Sequence, residues 1–195
     1  MPITAQQIAE LRERTGSGVM DVKKALEEAG GDEEKAIEIL RKSGIAKAAK
    51  KGGRETHEGR VHSYVHTNGK IGVLVEVLCE TDFVAKNEQF ISFCNDIGMH
   101  IAATDPLYLN RADVAAEVIE KQRAMFQDEA LAEGKPSAVV EKIVDGRIEK
   151  YYSEVALLEQ EFVKDPDISV EEYIKAFIGK IGENIQVSRF CRFSI

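Results

Sequence analysis

The residues able to do chemistry are few, and most are poorly spaced for catalysis. Four histidines at 57, 62, 66 and 100 do not carry the spacing of a zinc site, and no His-Glu-x-x-His run occurs. Cysteines at 79, 94 and 191 form no C-x-x-C pair and cannot all pair within one chain. Gly69-Lys70, Gly134-Lys135 and Gly179-Lys180 each lack the earlier glycine and the following hydroxyl of a phosphate-binding loop. Gly16-Ser17-Gly18 joins two helical patterns and reads as a turn rather than a dinucleotide fingerprint. Cys94 falls on an apolar helix face and reads as core. One stretch stands out, from Glu76 to Asn87, where an apolar strand ends in Glu80-Thr81-Asp82-Phe83-Val84 and a helix starts. Either Asp82 caps that helix and Phe83 fills core, or a rigid corner presents an apolar wedge beside a negative charge. Spacing alone leaves both open.

These residues must be positioned by a chain of 195 residues with 26 Lys+Arg, 34 Asp+Glu and a net charge of −8. That suits one domain or two small ones, and the acidic balance argues against wrapping nucleic acid over the whole surface. No run approaches the roughly 18 apolar residues of a membrane helix, and Met1–Glu10 lacks a signal peptide's apolar stretch. A reducing cytoplasm is the expected setting.

Thr4 with Gln7 predicts a capping box, and Ile3 with Ile8 a hydrophobic staple. Three short helices follow, with inward faces at Ile8 and Leu11, at Val19, Val22 and Leu26, and at Ala36, Ile37 and Leu40. Residues 41–60 hold seven lysines and arginines against two acids, around Gly52-Gly53. This predicts a basic helical extension, then a flexible joint, dividing the chain into domains 1–52 and 53–195. A hairpin over 60–79 with a primed two-residue turn at Asn68-Gly69 comes next. Its return strand, Ile71–Cys79, is apolar on both faces except at Gly72 and Glu76, so it is buried on both sides or faces a partner.

Thr81-Asp82 then opens one helix carrying Phe90, Ile91, Cys94, Ile97, Gly98 and Ile101 on one side. An antiparallel, solvated and projecting helical hairpin spans 111–155, turning at Gly134-Lys135-Pro136. Asp165-Pro166-Asp167 reads as a loop, Val170–Ile178 as a helix and Ile185–Phe193 as a closing strand. The fold class is therefore α+β.

Two long motifs carry a resemblance: Leu11-Arg12-Glu13-Arg14-Thr15-Gly16-Ser17-Gly18-Val19-Met20-Asp21-Val22-Lys23-Lys24-Ala25-Leu26 and Thr81-Asp82-Phe83-Val84. Lys180-Ile181-Gly182-Glu183-Asn184-Ile185, Ser63-Tyr64-Val65-His66 ahead of Ile71-Gly72-Val73-Leu74, and the Gly134-Lys135-Pro136 hairpin add to it. Over nearly its whole length the chain resembles the bacterial elongation factor Ts family, exchange factors of the GTPase elongation factor Tu. Leu78 departs from the Asn usual there.

The resemblance implies an N-terminal unit similar to ubiquitin-associated domains, docking on the GTPase through Leu11, Arg12, Val19, Met20 and Lys23. Leu11 and Val19 read equally well as core. It implies that Thr81, Asp82, Phe83 and Val84 enter near the GTPase's magnesium and phosphate site, Phe83 as wedge and Asp82 disturbing the Mg²⁺ network. Tyr64 and His66 would touch a second GTPase domain, or simply pack on a sheet face. Lys51 would meet the partner or belong to a solvated linker.

The resemblance further implies no catalytic residue and no cofactor or metal of the chain's own, and a short, single-core form that homodimerises through its sheet. Cys191 would then sit near its symmetry mate. Competing readings are an adaptor for ubiquitin-like folds, resting on the first forty residues, and a thiol enzyme using Cys79 or Cys94. The basic stretch at 41–60 lacks aromatic stacking residues, so no direct nucleic-acid contact is expected.

Overall fold

The computed structural model describes residues 3–195, and Met1 and Pro2 of the predicted N-terminal unit lie outside the described residues. Helix α1 (Ala5–Thr15) starts as its capping box requires: the Thr4 hydroxyl accepts from the Gln7 N–H while Gln7 Oε1 accepts from the Thr4 N–H. It ends at Gly16, whose φ of 63° is left-handed and whose N–H reaches Arg12 O at 2.7 Å. Helix α2 (Val19–Glu28) and helix α3 (Glu33–Ala49, capped by Asp32) complete the three-helix bundle. Leu11, Val22, Ala25, Leu26, Ala36 and Leu40 form its core, with Ile3 and Ile8 packed against them. Val19, placed on the inward face by periodicity, is instead exposed: three short helices leave the N-terminal end of α2 uncovered. The stretch after α3 is turned rather than loose, with Gly52 N–H on Ala48 O and Arg54 N–H on Lys51 O.

Strand β1 (Glu58–Val65) and strand β2 (Ile71–Cys79) pair with strand β5 (Gln186–Ser194) in the order β1-β2-β5. Arg189 bonds Glu76 and the Ile195 N–H reaches Lys70 O, so β5 runs antiparallel to β2. The turn departs from expectation. A primed two-residue turn needs positive φ at its first central residue, here Asn68, but among the described residues Asp105 is the only non-glycine with positive φ. His66 and Ile71 close a four-residue loop, in which the Gly69 N–H bonds His66 O and Asn68 Oδ1 accepts from the Lys70 N–H. The asparagine spends its side chain on an Asx turn, and glycine alone takes the left-handed position.

The helix predicted to open at residue 81 is two helices, α4 (Asp82–Ala85) and α5 (Glu88–Thr104). Asn87 causes the break: its Oδ1 accepts from the Gln89 N–H at 2.8 Å, starting α5 afresh. Helix α6 (Ala116–Ala132) and helix α7 (Ser137–Val155) form the expected hairpin. They share a small core of Ala130, Val140, Val144 and Ile148, rimmed by Arg147 pairs to Glu129 and Glu133. Residues 165–167 are strand, not loop: β4 (Asp165–Ser169) pairs antiparallel with the two-residue β3 (Glu161–Phe162). Proline and aspartate hide such a strand from propensity, yet an edge position tolerates both. Helix α8 (Val170–Ile181) follows.

The chain packs as two compact units. The first takes the chain up to Arg60 with Val77–Phe93 and Glu172–Gln186; the second takes Val61–Glu76, Cys94–Glu171 and Val187–Ile195. In the first, α3 and α8 approach at two glycines, where a Cβ on Gly179 would lie 2.8 Å from Gly44 Cα. Phe90, Phe93, Tyr173 and Phe177 stack beside them.

In the second unit, buried His100 is fully partnered. Its Nε2 lies 2.9 Å from Gln160 Oε1 and its Nδ1 accepts from the Val163 N–H. Burial holds its pKa below the ordinary 6.5. Between the two values the unfolded chain binds the extra proton, so this stability is complete above about pH 6.5 and declines as pH falls. Urea midpoints at pH 7.5 and 5.5 should therefore differ less in His100→Asn than in the wild type; equal drops would refute the assignment.

Candidate partner-binding site

Strand β2 runs rigidly into α4 through two residues, Glu80 and Thr81. Thr81, at φ −130° and ψ 154°, is the N-cap, its hydroxyl oxygen taking the Val84 N–H at 3.4 Å. Asp82 therefore does not cap the helix; it stands one residue inside, where the N-terminal dipole favours its charge. Its carboxylate accepts from Lys86 Nζ at 2.7 Å, and that hydrogen bond holds its pKa below the usual range. Phe83 does not fill core either. It is 82% exposed, while Ala85 of the same turn is buried. A one-turn helix cannot turn both residues inward, and the corner gives the inside to the smaller side chain.

Behind the corner lies a set of hydrogen bonds that sequence reasoning missed. Glu183 Oε2 accepts from the Glu80 N–H at 3.1 Å and the Thr81 N–H at 3.0 Å, and Glu183 Oε1 accepts from the Thr81 hydroxyl at 2.6 Å. Glu80 answers across the same gap, its Oε1 accepting from the Asn184 N–H at 2.6 Å and facing Arg54. Asn184 Nδ2 donates to Arg54 O. The one sequence signal was the Lys180–Ile185 motif, which carried no assigned role. Lys51 stands near these groups, its pKa lowered by burial and then by Arg54, against the opposing pull of Glu80. Cys79 is buried, and its thiol donates to Thr81 O. Burial and then the Glu183 charge push its pKa up to about 11. A protonated, buried thiol engaged as a donor is a poor nucleophile.

The predicted N-terminal patch divides. Leu11 is 0% exposed and belongs to the bundle core, whereas Arg12, Val19, Met20 and Lys23 are exposed around the Gly16 turn. Met20 is the most open of the apolar pair at 63%. In the other unit, Tyr64 and His66 are half-buried, with the Tyr64 hydroxyl 3.1 Å from His66 Nδ1. They lie on the sheet face toward α5, where a Cβ on Gly98 would meet the Tyr64 ring's stem. The opposite face leaves Val61, Val65, Leu74 and Phe193 open, with exposed Cys191 among them. Strand β2 is therefore buried on one face only. Among the described residues no cluster of His, Cys, Asp or Glu is placed to hold a metal ion, and no helix is long and apolar enough to cross a membrane.

A family model described as "Elongation factor TS" matches residues 5–195. The chain belongs to the elongation factor Ts family. Proteins named elongation factor Ts from Carboxydothermus hydrogenoformans and Fervidobacterium nodosum are 60% and 56% identical to it over 193 and 195 residues. The first alignment covers 99% of this chain and 89% of the relative; the second covers 100% and 99%. A third, from Oleidesulfovibrio alaskensis, is 55% identical over 193 residues, covering 99% and 98%. The family places the chain in translation elongation, protein biosynthesis and nucleotide exchange, on an α+β fold with a small antiparallel sheet.

Proposed function

We propose that this chain binds elongation factor Tu in its GDP form and speeds GDP release by disturbing the GTPase's Mg²⁺ and phosphate site. One observation supports this above the others: a phenylalanine held almost fully in solvent at a capped, braced strand-to-helix corner, beside an ionised aspartate. A ring held in solvent buries almost none of its area within the chain and leaves that area for a partner to cover.

The physics is linkage. A partner that favours the nucleotide-free GTPase weakens GDP, and GDP weakens the partner equally. A thousandfold faster release corresponds to about 4 kcal/mol. Burying Phe83 contributes roughly 1.5–3 kcal/mol of that. The remainder falls to Asp82, Thr81 and Val84 and to docking contacts from Arg12, Val19, Met20 and Lys23. On this reading residues 1–52 form the ubiquitin-associated-like docking domain, 53–195 the core domain, and Tyr64 and His66 meet a second domain of the GTPase through their exposed edges. Leu11 supports the docking patch from inside.

The chain is no enzyme on this reading: nucleotide and Mg²⁺ belong to the partner, and it works in the cytoplasm without contacting nucleic acid. The test is GDP release from purified elongation factor Tu with and without the chain. An unchanged rate would refute the proposal.

The homodimer forms on the open sheet face. Val61, Val65, Leu74 and Phe193 present a side of a three-stranded sheet whose two outer strands are both unpaired at their edges. Light scattering at micromolar concentration should give about twice 21.6 kDa, and Leu74→Lys should return the mass to 21.6 kDa. A wild-type mass of 21.6 kDa would contradict the dimer.

A further inference from the structure

We infer that Glu183 is the positioning residue for the exchange wedge: its carboxylate fixes the direction in which Asp82 and Phe83 leave the sheet. The inference rests on the reading of Asp82 and Phe83 as that wedge.

Helix α4 is a single turn, Asp82–Ala85. One turn of helix has almost no stability of its own, because nucleation costs more than its first hydrogen bond returns. Its cap is long, with the Thr81 hydroxyl 3.4 Å from the Val84 N–H. Left to themselves, residues 80–85 would fray. What holds them comes from far along the chain, where Glu183 takes both backbone N–H groups that precede the helix together with the Thr81 hydroxyl. By accepting the hydroxyl proton at 2.6 Å, it turns a lone pair of Thr81 Oγ1 toward the Val84 N–H. One carboxylate thus orients the cap and both peptide units at the corner, and bonds from charged acceptors are the stronger kind.

Glu80 and Asn184 tie the two segments a second time in the reverse direction. Gly182, at φ 91°, makes the turn after α8 that delivers Glu183 to this place. No partner contact is required of Glu183: its oxygens are engaged inward, behind the wedge.

A wedge that inserts must be held before it binds, since ordering it on insertion would subtract from the binding that drives release. Loss of the brace therefore acts on the rate within the complex more than on its formation. Misplacement of a functional group by about 1 Å costs on the order of a hundredfold.

The experiment measures GDP release from elongation factor Tu·GDP across a range of concentrations of the full-length chain. It compares wild type, Glu183→Ala, Glu183→Gln, Phe83→Ala and the Glu183→Ala/Phe83→Ala double variant, with amide hydrogen exchange over 78–86. Glu183→Ala is expected to lose protection at Glu80 and Thr81 and to lower the limiting release rate by roughly 10–100-fold, with a smaller change in half-saturating concentration. Glu183→Gln, whose amide oxygen still accepts both N–H groups while its NH₂ donates to Thr81, should retain most of the rate. Added to Phe83→Ala, the Glu183→Ala change should cost nothing further, whereas a general loss of structure would add its full effect.

If Glu183→Ala does not fold, Glu183→Asp keeps the charge but withdraws its oxygens, and the same loss of limiting rate is expected. Full stimulation by Glu183→Ala or Glu183→Asp, while Phe83→Ala fails, would overturn the inference and leave the wedge standing. Full stimulation by Phe83→Ala would overturn the wedge and the inference with it.

Discussion

Replacing Asp82 and Phe83 together by alanine should abolish stimulated GDP release and leave the protein folded. Phe83 is 82% exposed and Asp82 bonds one solvent-facing lysine, so their removal takes almost nothing from the core. Surface changes of this sort stay within about 0.5 kcal/mol. The cap survives as well, because it is built by Thr81 and Glu183. Release, by contrast, loses both the apolar area that would be buried and the charge set beside it. If insertion accounts for the acceleration, the expected fall is on the order of a thousandfold, to the spontaneous rate. The measurement is nucleotide release from elongation factor Tu·GDP at saturating variant, with circular dichroism and a thermal midpoint as the folding control. Retention of full stimulation by a folded double variant would remove the site assignment.

A second phenylalanine, ten positions along, should behave in the opposite way. Phe93 is buried, its ring stacked 4.2 Å from Phe177 at 9° and 5.3 Å from Tyr173. Phe93→Ala removes both stacking partners' contacts and opens a void between α5 and α8. Such truncations cost about 3–5 kcal/mol. For a chain of this size that is a fall in Tm of about 6–20 °C. Below the lowered midpoint, release activity per folded molecule should stay near normal, since nothing in the wedge has changed. Calorimetry and activity at 20 °C separate the two effects. A Tm within 2 °C of wild type would refute the packing argument.

The two phenylalanines also mark where sequence reasoning stops. Both lie between the end of β2 and the middle of α5, and spacing left open whether Phe83 fills core or stands out as a wedge. What decided the difference was Asn87. Its side chain ends one turn of helix and begins another, shifting the phase of every residue before it relative to α5. The same kind of local competition turned Asn68-Gly69 from a two-residue turn into a four-residue loop. A side chain that can accept from a backbone N–H two residues on offers alternatives that differ little in energy, and the pattern of neighbours does not rank them.

Much else was legible. The Thr4–Gln7 capping box, the Gly16 stop and the hairpin turning at Gly134 each depend on partners within about five residues. Those energies are set by adjacent residue types, so the sequence by itself determined them. The two long motifs likewise determined the family.

Tertiary structure alone decided the rest. Glu183 meets Thr81 from 102 positions away, and β4 forms against propensity because β3 is there to pair with it. Val19 stands exposed at the start of α2, and Leu11 is hidden because α2 and α3 pack over it. Burial and long-range hydrogen bonds depend on which segments arrive together, and no local pattern encodes the arrival. Glu183 was therefore visible in the sequence only as part of a motif, and its bonds to Glu80 and Thr81 exist only in the fold.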